Sequence, residues 1–165
     1  MKRENNHQME TEHTNMSKAN YKKLGLMLMI SFCIMYGVMF LNVDQRSHIY
    51  LSLTRTYMSL LMVSPMAIVM LLMMPGMYPN KLVNRLIIVV FSVVFLLALL
   101  FLRTQFPVGD SQYMKAMIPH HSSAILTSKH ARIKNPKVKK LADSIIKSQQ
   151  REIAEMKALL ETIEH

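Results

Sequence analysis

The chain divides by polarity into three zones. Residues 1–23 are polar, 24–102 are mostly apolar and 103–165 are heavily charged. The middle zone holds three apolar runs: "LGLMLMISFCIMYGVMFL" (24–41), "YMSLLMVSPMAIVMLLMM" (57–74) and "LIIVVFSVVFLLALLFL" (86–102). Each is about the length that crosses a hydrocarbon core of roughly 30 Å as a helix, and none carries a charge. Pro65 interrupts the second run and predicts a kink. The first run follows a long N-terminal segment in which acidic residues dilute the basic ones. "LNVDQRS" after it has no small-x-small cleavage pattern, so it reads as a retained span rather than a signal peptide.

The charged zone has helical periodicity. "RTQFPVGDSQ" is a linker, and Asp110 or Ser111 is placed to cap a helix starting there. Pro119 predicts a new helical segment or a kink. Asn135 and Pro136 mark a turn and a fresh start, with Asn as N-cap and Pro at the first helical position. Beyond them Val138, Leu141, Ile145, Gln149, Met156, Leu160 and Ile163 recur at helical spacing. The expected fold is therefore an all-α membrane protein, three transmembrane helices followed by an extracytoplasmic helical hairpin at 103–165. Two helices bury little core by themselves. The hairpin is thus expected to dock on a second copy, as a homo-oligomer, or on the spans.

Composition changes this picture in two ways. The net charge is +10, but the cations flank apolar runs, which points to membrane orientation and not to nucleic acid. Lys2, Arg3, Lys18, Lys22, Lys23, Lys81 and Arg85 fall on one side; Arg46, Arg55, Arg103 and Lys115 fall on the other. The bias predicts a cytoplasmic N-terminus and an outward-facing C-terminus, as in a bacterial inner membrane. Methionine is abundant, at 17 residues, and Cys33 is the lone cysteine. One cysteine excludes an intrachain disulfide and any CxxC motif, and it reads as a small buried apolar residue.

Candidate chemistry gathers at "YMKAMIPHHSSAILTSKH". At about 100° per residue, Met114, Met117 and His121 fall within roughly 60° of one another, and His120 lies about 60° beyond Met117. His130 points further round. On the following helix Glu152 and Met156 share a face, and Gln149 is within reach of it. Thioether and imidazole ligands suit Cu(I) and Ag(I); imidazole with a carboxylate also accepts Cu(II) or Zn(II). Methionine outside the cytoplasm avoids the disulfide chemistry open to a thiol. The plainer reading makes Met114 and Met117 core residues and the histidines and Glu152 solvated helix positions. No nucleophile–base pair, phosphate loop or closed zinc motif is visible, so binding rather than catalysis is expected.

"MIPHHSSAILTSKHA" followed by "NPKVKKLADSIIKSQQREIAEMK" resembles the domain of unknown function family 305, over about residues 110–160. Its members carry an M-I-x-H-H helix and a later Q-x-x-E-I-x-x-M helix. Here these are Met117, Ile118, His120 and His121, then Gln149, Glu152, Ile153 and Met156. The resemblance implies a ferritin-like helical fold and, since some members are extracytoplasmic copper-binding proteins linked to copper tolerance, copper binding by Met117, His120, His121 and Met156. Many members have Met six residues after the second His; here that position is Thr127. The expected function is a membrane-anchored protein that buffers Cu(I) or hands it to another copper-handling protein.

A second methionine pattern lies in the middle run, where Met58, Met62, Met66 and Met70 recur every four residues and Met74 continues the series. One reading is a Cu(I) path through the membrane, with "HQMETEHTNMS" at 7–17 as collector. The other is lipid-facing or helix-packing methionine, favoured because the third run lacks GxxxG and the charge bias opposes the orientation of three-span copper transporters. A purely structural membrane protein, with the hairpin as a dimerisation element, is the remaining alternative.

Overall fold

The computed structural model describes the backbone of residues 2–164 and the side chains of residue 16 and residues 18–164. It contains five α-helices and one 3-10 turn, with no strand among the described residues: α1 Lys2–Val38, the turn Arg46–His48, α2 Leu53–Met73, α3 Lys81–Thr104, α4 Asp110–His130 and α5 Pro136–Glu164. Three segments are long and apolar enough to cross a membrane: Lys18–Val38, Leu53–Met73 and Lys81–Thr104. Each begins several residues before its apolar run, because helical hydrogen bonding does not stop where hydrophobicity stops. The candidate collector at 7–17 lies, apart from Met16, outside the described side chains.

The chain forms two compact units. One comprises residues 1–35 and 57–103, the other residues 36–56 and 104–165. In the first, Leu24 and Leu28 of α1 pack with Val63, Ala67 and Leu71 of α2 and with Tyr78. Cys33, expected to be buried, is exposed, because it lies on a face of α1 away from this contact. Tyr21 ties this end together: its hydroxyl donates to Asn84 Oδ1 at 2.7 Å, and its ring meets that of Tyr78 at 5.3 Å. Asn80 caps α3, its Oδ1 accepting the amides of Leu82 and Val83 at 3.0 and 3.1 Å. On α3 only Ala98 is buried, while leucines and valines all round it are exposed. A helix apolar on every face matches a hydrocarbon solvent better than water.

α2 runs through Pro65 with the helix unbroken. Its buried positions Ser59, Val63, Ala67 and Leu71 set its inner face. The methionine series sits one residue earlier at every step, about 100° round the helix. Met58 and Met62 are accordingly exposed, whereas Met70 packs on the core.

In the second unit α4 and α5 form the expected hairpin. Met114, Ile118 and Ile125 pack with Ile153 and Leu160, and Tyr50, Ile146 and Met156 join them. Asn135 caps α5 as the sequence suggests, accepting the amides of Lys137 at 2.9 Å and Val138 at 3.4 Å. The start of α4 differs. Gly109 occupies the N-cap position with no side-chain cap bond, and Ser111 instead hydrogen-bonds Glu164. Pro119 neither starts a new segment nor ends one; α4 continues through it and buries it. A mid-helix proline costs about 3 kcal/mol. Fully burying Ile118 and Ile125 on either side contributes roughly 1.5–3 kcal/mol each, enough to offset it.

The inner face of α5 is also displaced from the predicted stripe. Ala142, Ile153 and Leu160 are buried, whereas Val138, Leu141 and Ile163 are exposed. Steps of 11 and 7 residues return to one line on a 3.6-residue helix, so the three buried residues share a single narrow face.

The hairpin gains its extra partner from a segment the sequence reading passed over, the connection at 36–56. Ser122 on α4 accepts the Asp44 amide at 2.8 Å and hydrogen-bonds His48 Nδ1 at 2.9 Å. Lys129 Nζ contacts both carboxylate oxygens of Asp44 at 2.8 Å. Gln112 Oε1 accepts the Leu53 amide at 3.0 Å, and Lys157 reaches Ser47. One side of the hairpin is thus closed by this connection.

Candidate functional site

The other side of the hairpin opens into a cleft of about 490 Å³. Met114 and His121 line it from α4; Glu152 and Met156 line it from α5, with Asp110, Tyr113, Glu155, Leu159 and Ile163 completing the wall. Helical spacing explains the convergence. Met114 and His121 are seven residues apart, two turns along one line of α4, and Glu152 and Met156 are one turn apart on α5. Packing of Ile118 and Ile125 against Ile153 and Leu160 then fixes the two lines side by side.

His121 is the unusual group. Its Nδ1 lies 3.2 Å from Glu152 Oε2, close enough for an ion pair if the ring is protonated. The alignment does not make a hydrogen bond, so this buried nitrogen has no hydrogen-bond partner. Burial holds the His121 pKa below the ordinary 6.5; Glu152 opposes that shift and His120 adds to it. The shift favours the neutral imidazole, in which one ring nitrogen keeps a lone pair. Glu152 is itself oriented by Ser148, whose hydroxyl donates to Oε1 at 2.6 Å.

The remaining candidates do not line the cleft. His120 is exposed, its ring centre 6.3 Å from that of His121. Met117 and Gln149 are half-buried. His130 is exposed, and its Nδ1 is bonded to the Leu126 carbonyl at 2.9 Å, closing the last turn of α4. Among the described residues no three His, Cys, Asp or Glu side chains stand close enough to hold a metal ion. A metal in the cleft would have to draw on the methionine sulfurs.

His48 was not singled out in the sequence. It is buried, and its pKa too is held below 6.5, first by burial and then by Lys157, with Asp44 opposing and Lys129 adding to the depression. One signal was available: Ser122 falls one turn after Ile118 on the apolar line of α4, and a buried hydroxyl needs a partner. Ser122 is 0% exposed, so the pair is a buried contact joining α4 to the connection.

Both histidines make the fold acid-sensitive. Depressed folded-state values mean that the unfolded chain binds protons first as pH falls through 6.5. The stabilisation is present above pH 6.5 and is lost as pH falls from there through the folded values. Thermal melts at pH 7.5 and pH 5 should show the lower midpoint at pH 5, with the loss reduced in His48→Gln. Equal midpoints would contradict the assignment.

The fold and cleft define an all-helical protein with three helices apolar enough to span a membrane and a separate helical hairpin. Residues 103–165 match the family model for the domain of unknown function DUF305. The match is confined to the C-terminal part of the chain. It is also 36% identical over 145 residues to an uncharacterized protein of Acanthamoeba polyphaga mimivirus, covering 86% of this chain and 93% of that one. No solved structure matches it.

Proposed function

We propose that this is a membrane-anchored copper-binding protein, in which a ferritin-like half-bundle outside the cytoplasm buffers Cu(I) or hands it to another copper-handling protein. The observation that carries this reading is the buried, unbonded Nδ1 of His121 in a cleft shared with Met114, Met156 and Glu152. A neutral imidazole flanked by thioethers is a soft donor set, which favours Cu(I) or Ag(I); the carboxylate extends it to Cu(II).

Membrane anchoring is supported by topology. The connection at 36–56 packs in one unit with the hairpin, so both lie on the same side of any bilayer the chain crosses. That requires an even number of crossings between them, which α2 and α3 supply together. The Lys and Arg bias then puts the N-terminus on the cytoplasmic side, in a bacterial inner membrane or another membrane with a cytoplasmic face.

The test is Cu(I) titration of the full-length protein in detergent against a competing chelator. Met114→Leu with Met156→Leu keeps side-chain volume and fold but removes both sulfurs. The double variant should bind about tenfold more weakly or worse, a loss of about 1.4 kcal/mol or more. Unchanged affinity overturns the reading.

A further inference from the structure

The hairpin has two sides, and the connection covers only one of them. On the uncovered side α5 presents Val138, Leu141, Leu159 and Ile163, which are 47%, 60%, 49% and 53% exposed. With Ile145 they recur at steps of three and four, closing on a second step of four from 159 to 163; Ser148, Glu152 and Glu155 fill the polar middle positions. Sustained alternation of three and four is the pattern of a helix–helix seam. It is also nearly palindromic about residue 150: Val138 mirrors Ile163, and Leu141 mirrors Leu159. A surface complementary to its own reverse is what a two-fold interface between identical chains requires.

Charge selects the direction. From 129 to 140, around the turn, the chain carries Lys129, Arg132, Lys134, Lys137, Lys139 and Lys140 and no acidic residue. The opposite end, from 151 to 164, carries Glu152, Glu155, Glu161 and Glu164 against Arg151 and Lys157 on α5. Two seams side by side in parallel would set cations on cations. Antiparallel, each basic end meets an acidic one.

We propose that a second copy of this chain docks on the uncovered face of the hairpin, α5 against α5 and antiparallel, with Leu141 beside the partner's Leu159. The pairing completes a four-helix arrangement and covers the cleft, since Leu159, Ile163 and Glu152 belong to both seam and cleft wall. It does not depend on metal, so it stands or falls separately from copper binding.

The experiment uses the full-length protein in detergent, with a chelator present and Cys33→Ser as background. Leu141→Cys, Leu159→Cys and the double variant are treated with a short bismaleimide. In an antiparallel pair, two copies of residue 141 lie about 27 Å apart along the helix, beyond its reach, as do 141 and 159 within one chain. The expected result is a cross-linked dimer from the double variant and at most a trace from either single one. A dimer from Leu141→Cys alone, meaning parallel helices, overturns the proposal, and so does the absence of a dimer in all three. Circular dichroism shows that each variant is folded. Independently, Leu141→Asp with Leu159→Asp should halve the mass by light scattering at unchanged helicity, and an unchanged mass overturns the proposal as well.

Discussion

Replacing His121 by alanine should weaken Cu(I) binding by about 100-fold while leaving the hairpin folded. Loss of a residue that merely orients a ligand costs 10–100-fold in metal affinity, and loss of a ligand costs at least as much. His121 is the group whose ring nitrogen is buried, unbonded and inside the cleft. Truncation removes no hydrogen bond to that nitrogen, so the fold has little to lose there. His130→Ala is the contrasting control. Its Nδ1 is already bonded to the Leu126 carbonyl, and it lies off the cleft, so affinity should stay within about twofold, roughly 0.4 kcal/mol. Competitive titration with a Cu(I) chelator measures both. Equal losses in the two variants, or none in either, would remove His121 from the site.

Ser122→Ala should be the most damaging small substitution in the second unit. The hydroxyl is fully buried and serves both the Asp44 amide and His48 Nδ1. Deleting it leaves two groups without their partner, at about 1–3 kcal/mol for each unsatisfied buried group. A total of about 3 kcal/mol is a large share of the stability of a domain this size. The loss should be local first. Amide hydrogen exchange across 44–50 should accelerate strongly, with the α1–α2 core of the other unit unaffected. Thr127→Ala, at an exposed position of the same helix, should change nothing. Unaltered protection across 44–50 in Ser122→Ala would show that the connection is held by other contacts.

Both predictions turn on residues whose importance was unevenly legible. His121, Glu152, Met114 and Met156 were all candidates from helical spacing, because two and one turns of helix bring such residues into line whatever surrounds them. Spacing could not separate them from Met117, His120, Gln149 and His130. That depends on how far each helix is rotated about its own axis, which the packing of Ile118 and Ile125 on Ile153 and Leu160 decides. Val138, Leu141 and Ile163 show the same effect: their periodicity was read correctly, but rotation of α5 turned them outward and Ala142 and Ile153 inward.

Local chemistry determined the rest. Three uncharged runs of spanning length, Asn135 before Pro136, and a charged tail with helical period were sufficient to predict five helices in the observed order, because helix formation and capping are settled within a few residues. Only the tertiary structure could carry α4 through Pro119, where burial on both sides outweighs the local cost. Only it could join the connection at 36–56 to a hairpin that begins some fifty residues later. Asp44 and His48 carry no periodic signal, and their partners Ser122 and Lys129 lie 74 to 85 residues away. Sequence order records nothing of such distances, since they are set by which surfaces must leave water together.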